Sequence, residues 1–387
     1  MINAISIANY RSLRSLSLEP SPLTVVTGAN ASGKSNLYRA LRLLAETAFG
    51  TATQSIAREG GLPSVLWAGP ETFSKQMREG TVPVQGGPRQ ERVSLRLGFA
   101  GERFSYAIDF GMPEPQRTLF SHDPEIKREA IWHGAVYRPT SALVDRHGPV
   151  VSVRGELGKK ITIASHVAPY DSMLTQVGDP ELAPEIFALR EFVRSWRFYD
   201  HFRTDARAPA RQLQIGARTT VLSNDGHDLA AALQTIREIG DADALDVAVD
   251  DAFPGASVEI TALEGRFGLL MRQHGLLRGL TQAELSDGTL RYLLWVAALL
   301  TPRPPTLIVM NEPETSLHPD LMPALGRLIM NAATHCQVWV VTHSTRLAAA
   351  LERSESCVSI HLNKELGETR ITGQQLLDGP PWQWPKR

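Results

Sequence analysis

The sequence predicts an α/β protein with a mixed sheet, and three observations predict it. Apolar runs that read as buried strands occur at residues 23–27, 306–310 and 338–341. Each stops at small or polar residues, as parallel strands do when their carboxyl ends carry chemistry. The first run is followed by GANASGKS at 28–35 and then by NLYRALRLLAE at 36–46, whose apolar residues fall at helical spacing. That order of strand, glycine-rich turn and helix gives the turn its meaning.

Taken in order, residues 2–7 and 13–18 alternate as strands around a turn at 9–12. Residues 50–87 are rich in Gly, Pro and Ser with weak periodicity. Residues 93–99 and 103–110 then read as a hairpin with its tip at 100–102, followed by strand candidates at 130–137, 150–153 and 160–164. Helical spacing returns at 183–196, 228–239 and 242–253, and strand alternation at 257–263 and 267–273. A helix at 290–300, the two apolar strands, a hairpin at 360–371 and a PPWQWP end piece at 380–385 complete the chain. The pattern divides it into an N-terminal lobe with a β-rich insertion at 1–175, a helical and mixed insertion at 176–279, and a C-terminal lobe at 280–387. No heptad run extends over several repeats, so no long coiled coil is expected.

With 387 residues, 43% hydrophobic and 21% charged, the chain can bury a core large enough for two or three lobes. A net charge of −1 gives no global pull toward nucleic acid, so any such contact must come from a local patch. Cys336 and Cys357 are too few and too far apart for a disulfide framework or a zinc site. With no apolar run of about 18 residues and no leader-like start, a soluble cytoplasmic protein with no membrane partner is expected.

Residues 28–35 match the G-x-x-x-x-G-K-[ST] phosphate loop. Gly28 and Gly33 let the backbone curl so that N–H groups and a helix N-terminus face a β-phosphate. Lys34 would reach the β- and γ-phosphates, and the Ser35 hydroxyl would sit on Mg²⁺. The strand at 306–310 ends in Asn311-Glu312-Pro313-Glu314, which supplies acid where such a site needs it. The strand at 338–341 ends in Thr342-His343-Ser344. Between loop and strands stands LSDGT at 285–289, which on its own is an ordinary helix cap and turn.

Phosphate loop, long insertion, LSDGT before a helix, strand plus NEPE, SLHPD and strand plus THS form the motif order of ATP-binding-cassette ATPases. In IANYRSL, TVVTGANASGKSNLYRAL, LSDGTLRYLLW, LIVMNEPETSLHP and VVTHS the chain resembles the SMC/RecF/OLD class, and among it the bacterial stand-alone RecF-like predicted ATPases of the AAA type. Residues 50–280 match only loosely. The resemblance implies a P-loop NTPase of the cassette type that hydrolyses ATP with Mg²⁺. It implies that Asn30, Ser32 and Asn36 join Gly28, Gly33, Lys34 and Ser35 around the nucleotide, with Arg11 near the adenine. It also implies that Ser286 and Gly288 contact the γ-phosphate held by a second subunit, in a homodimer with ATP and residues 316–318 at its seam.

One departure stands out. The usual acid at the end of the second strand is Asn311, which can accept a hydrogen bond from a Mg²⁺-bound water but brings no charge. Glu312 keeps the general-base position, with Glu314 as competitor and His343 stabilising the transferred phosphate. Gln176 is a candidate metal-sensing glutamine and equally a surface residue. The class implies a DNA transaction in repair or phage defence, or alternatively control of a separate effector such as a nuclease without DNA binding. Residues 344–387 are too short for an appended nuclease domain, so a nuclease partner is expected to be a separate chain. Local support for DNA lies in Arg203, Arg207 and Arg211 within an arginine-rich stretch interleaved with Trp196, Phe198, Tyr199 and Phe202. The same stretch also reads as a solvated face beside an aromatic core edge.

Overall fold

In the computed structural model, an eight-stranded antiparallel sheet is built from the N-terminal part of the chain. The structure describes residues 1–87, 90, 92–114, 119–155, 158–374 and 378–387. The sheet comprises β1 (Ile2–Tyr10), β2 (Leu13–Leu18), β4 (Leu95–Gly101), β5 (Ser105–Gly111), β6 (Glu125–Trp132), β7 (Ala142–His147), β8 (Val150–Arg154) and β9 (Lys160–Ala164), while β3 (Leu23–Gly28) lies elsewhere. Its order is β2-β1-β4-β5-β6-β7-β8-β9. Consecutive hairpins follow the alternation of the sequence, with Leu97, Phe99, Tyr106, Ile108 and Phe110 all fully or almost fully buried. Strand β7 was not legible in the sequence, and its Asp145 and Arg146 are buried as ion pairs with Arg128 at 2.6 Å and Glu129 at 2.7 Å. Charged residues in a strand read as exposed until their partners are known.

The remaining strands are β10 (Arg197–Tyr199), β11 (Gln214–Ile215), β12 (Ser257–Leu263), β13 (Arg266–Arg272), β14 (Leu280–Thr281), β15 (Leu307–Asn311), β16 (Gln337–Val341), β17 (Cys357–Glu365) and β18 (Glu368–Ile371). Strands β10, β15, β16 and β3 lie side by side and parallel. Their continuous apolar burial is what a parallel sheet requires, and Ile308, Val309, Met310, Trp339 and Val340 are fully or almost fully buried. Helix Asp287–Leu299 packs its Leu290, Leu293, Leu294 and Trp295 into the same core as Leu325 and Ile329 of helix Met322–Ala332. Strands β12 and β13, expected as two strands, pair as a hairpin, and β13 also pairs with β11 and β14.

The chain divides into two compact units: residues 1–20, 28–195 and 360–387, and residues 21–27 and 196–359. These limits differ from breaks at 175 and 279. Pairing of β3 with β16 carries residues 21–27 into the second unit. The last hairpin belongs to the first, where the Ser12 carbonyl accepts from the Thr369 N–H at 2.8 Å. The end piece is packed there as well, with the Trp382 ring 5.6 Å from that of Trp132 and Arg387 bidentate on Asp109 at 2.7 Å. No helix among the described residues is long and apolar enough to cross a membrane.

Candidate functional site

The candidate residues fall in two groups, the phosphate loop in the first unit and the strand ends in the second. In the loop half, helix Lys34–Glu46 starts inside GANASGKS and buries Leu37, Leu41 and Leu44. Gly28 and Gly33 have φ of 146° and 111°, and a Cβ at Gly33 would collide with the Thr369 side chain. Only glycine fits there. The Thr369 hydroxyl donates to the Ser32 carbonyl at 2.8 Å and lies 2.7 Å from the Ser12 hydroxyl, which accepts from the Asn36 amide at 2.7 Å. This chain of polar contacts fixes the loop. Lys34 Nζ donates to the carbonyls of Gly28 at 2.7 Å and Ala29 at 3.0 Å, while Asn30 and Ser35 are exposed.

Arg11, expected near the adenine, has a φ of 49° and pairs with Glu59 at 2.6 Å. Gln176 is exposed at the end of the short helix Met173–Gln176. That helix is capped by Ser172, whose hydroxyl donates to the buried Glu129 at 2.6 Å, as does the Met173 N–H at 2.8 Å.

In the strand-end half, Asn311 pairs with Val341 and Val341 with Val26, so β15, β16 and β3 end at one edge. The phosphate loop follows Thr27 directly in the chain. Glu312 adopts a left-handed φ of 49°, with its N–H donating to the Val341 carbonyl at 2.7 Å. Strain of this kind in a non-glycine residue gathers at functional positions. Its carboxylate lies 3.3 Å from His343 Nε2, and both side chains are about two-fifths exposed, at 42% and 38%.

Glu314, the competing base, is committed differently. Its Oε1 accepts from the Thr342 hydroxyl at 2.7 Å and from the N–H groups of His343 at 2.8 Å and Ser344 at 3.0 Å. It thereby shapes the turn that presents His343. Asn311 donates from Nδ2 to Asp200 at 2.6 Å, which leaves its buried Oδ1 without a hydrogen-bond partner among the described residues. That orphaned acceptor is what a divalent ion or one of its waters needs, so the residue fits a metal role.

The LSDGT segment at 285–289, which takes the signature position in the resemblance, is held rather than loose. Ser286 caps helix Asp287–Leu299, its hydroxyl accepting from the Thr289 N–H at 3.1 Å. Ser286, Gly288 and Thr289 line an open cleft of about 580 Å³ with Ser316, Leu317 and His318. A Cβ at Gly288 would meet the Ser316 carbonyl at 3.0 Å, so glycine allows these two segments to lie close.

Arg211 holds the segment from behind. Its guanidinium donates to the carbonyls of Leu285 at 2.7 Å and Gln282 at 3.2 Å and to Asp287 at 2.6 Å. The arginine-rich stretch is therefore not a stacking surface. Trp196, Phe198, Tyr199 and Phe202 are buried at 3%, 8%, 1% and 2% exposure, because Arg197–Tyr199 is a strand of the parallel sheet. Arg211 is only 9% exposed, Arg203 pairs with Asp205 at 2.9 Å, and Arg207 is exposed. Replacing Arg211 with Ala is expected to cost about 2 kcal/mol by leaving carbonyls unsatisfied, read as a lower thermal midpoint.

The sequence reading missed Asp200 and Arg291. The signal for Asp200 was an aromatic strand ending in an acid, the pattern that marks Asn311-Glu312. The signal for Arg291 was a charge inside the apolar run LRYLLW.

The family described as "AAA domain, putative AbiEii toxin, Type IV TA system" matches residues 160–349, and the family described as "AAA ATPase domain" matches residues 1–75. No curated protein matches the chain. Among solved structures, an SMC head bound to the C-winged helix domain of ScpA is similar over 97% of this chain and 98% of that one, at 11% identity and a TM-score of 0.52. The SMC head domain from Thermotoga maritima is similar over 97% and 99%, at 14% identity and 0.43. An SMC head with an extended coiled coil, bound to the C-terminal domain of ScpA and derived from Pyrococcus furiosus, is similar over 96% and 95%, at 11% identity and 0.49. The first of these shares the fold. With that fold, AAA family matches toward both ends and the motifs in cassette order, the chain resembles ABC-type ATPases of the SMC/RecF class.

Proposed function

We propose that the protein binds ATP with Mg²⁺, hydrolyses it, and dimerises head to tail around it as a switch that controls a separate effector protein. The observation that carries this reading is the shared edge of β3, β15 and β16, from which the phosphate loop, Asn311-Glu312 and Thr342-His343 all follow. In the loop half, backbone N–H groups of 28–35 and Lys34 hold the phosphates, with Asn30, Ser32 and Asn36 around them and Arg11 toward the base. In the strand-end half, Glu312 orients and deprotonates the attacking water, and His343, beside it, stabilises charge on the transferred phosphate. Ser35 and Asn311 would hold the metal, with Gln176 as a sensing residue. Bound Mg²⁺ supplies neutralisation of phosphate charge. The exposed cap at Ser286 and the open cleft beside it favour a γ-phosphate from a second copy.

The output is read from what the arginine-rich stretch does. With its aromatics in the core and Arg211 turned inward, a DNA groove loses its stacking platform. A head of this fold docks a winged-helix domain of ScpA in the solved relative, which favours a protein partner here.

The test is sedimentation and turnover with ATP, with and without duplex or single-stranded DNA. ATP-dependent dimers whose turnover ignores DNA are expected. Turnover stimulated by DNA and lost with salt and with Arg203→Ala and Arg207→Ala would replace the effector reading by a DNA transaction in repair or phage defence. Lys34→Ala is expected to weaken ATP binding at least about a hundredfold, since a charge-assisted phosphate contact disappears, and equilibrium binding of a fluorescent ATP checks it.

A further inference from the structure

The strand that the sequence hid also supplies the charge that Asn311 lacks. Strands β10 and β15 run parallel, with Phe198 opposite Val309 and Tyr199 opposite Met310. The next residues along are Asp200 and Asn311, and their side chains meet at 2.6 Å. A carboxylate only accepts and an amide NH₂ only donates, so the contact fixes which way the Asn311 amide is turned. Its Nδ2 faces Asp200. Its Oδ1 is thereby aimed elsewhere, buried and without a partner among the described residues.

We propose that Asp200 and Asn311 together form one split acidic metal-binding element, with Asn311 Oδ1 as the acceptor toward Mg²⁺ or its water and Asp200 as the positioning residue that supplies the negative charge. The proposal rests on the ATP reading above. An aspartate at position 311 would give the same net charge at the strand end from one side chain; here the pair divides the tasks of acceptor and charge between two neighbouring strands. Outer partners of this kind orient a metal's acceptors and change its affinity by about 10- to 100-fold. The arrangement also gives Asn311 a reason to be an amide, since a carboxylate there would face Asp200 as a like charge.

The test is Mn²⁺ affinity by electron paramagnetic resonance on the full chain loaded with a non-hydrolysable ATP analogue, beside analogue affinity measured in chelator. Asp200→Asn is expected to weaken Mn²⁺ at least about tenfold while metal-free analogue binding stays the same. The exchanged pair Asp200→Asn with Asn311→Asp, which returns the charge to the end of β15, is expected to recover most of that loss. Unchanged Mn²⁺ affinity in Asp200→Asn would overturn the proposal, as would a loss that the exchanged pair does not recover, because the carboxylate would then act only as packing. If the wild-type protein binds no analogue at all, the ATP reading fails first and this one falls with it. Analogue binding with normal Mn²⁺ affinity in Asp200→Asn sinks the split element alone.

Discussion

Replacing Glu312 with Gln is expected to leave ATP binding intact, lower turnover by at least about a hundredfold, and hold the protein as an ATP-bound dimer. The substitution keeps shape and changes one property. Glu312 sits at the end of β15 with a φ of 49°, its backbone N–H bonded to Val341, and glutamine can keep both the backbone and that bond. What it loses is the carboxylate as proton acceptor and as partner of His343 at 3.3 Å. General-base catalysis contributes about 10²- to 10⁴-fold, so the loss falls on the chemical step and leaves nucleotide affinity to the phosphate loop. In the proposed cycle hydrolysis releases the dimer, so the variant is expected to keep it. Single-turnover assays with labelled ATP, alongside sedimentation, separate the two effects. Near wild-type turnover in Glu312→Gln would transfer the base role to Glu314, whose Oε2 has no hydrogen-bond partner among the described residues.

The parts of this site that were legible in the sequence are those whose function sets local spacing. The phosphate loop needs glycines at fixed positions between a strand and a helix, and Gly28, Gly33 and Lys34 show it without tertiary context. Strands β15 and β16 are buried on both faces, so their apolar runs announce them and point to the residues at their ends.

What stayed hidden depends on long-range pairing. Strand β10 has only three residues, too short for alternation to show, and arginines on either side made its aromatics look like a surface. Arginine stems cover apolar surface while the head finds acceptors, so Arg211 reads as a surface cation until the signature loop is folded against it. The Asp200–Asn311 contact spans more than a hundred residues of chain, and neither residue announces the other. Glu314 was ranked as a possible base because spacing cannot tell which of two acids near a strand end will be consumed by backbone N–H groups.

Replacing Arg291 with Met is expected to cost about 3 kcal/mol of stability and to weaken ATP-dependent dimerisation with it. Arg291 is 3% exposed within helix Asp287–Leu299, and burial lowers its pKa while nearby Asp287 opposes that shift. Its guanidinium donates to the carbonyls of Thr315 and Phe202, the latter at 2.8 Å. Methionine fills most of the volume and leaves both carbonyls buried without that donor, each costing about 1–3 kcal/mol.

The position of the contact makes the loss functional as well as structural. Thr315 precedes Ser316, whose carbonyl faces Gly288 across the signature cleft, and Trp295 on the same helix donates to the Pro313 carbonyl at 3.1 Å. One helix therefore grips the NEPE turn at two points while presenting the signature cap at its start. Arg291→Lys separates the two effects, because an ammonium keeps the charge and lacks the planar fork that reaches both carbonyls. In Arg291→Lys, faster amide exchange at 314–318 with a largely retained melting temperature is expected, together with dimers that need more ATP to form. Unchanged exchange there and wild-type dimerisation would reduce Arg291 to a packing residue.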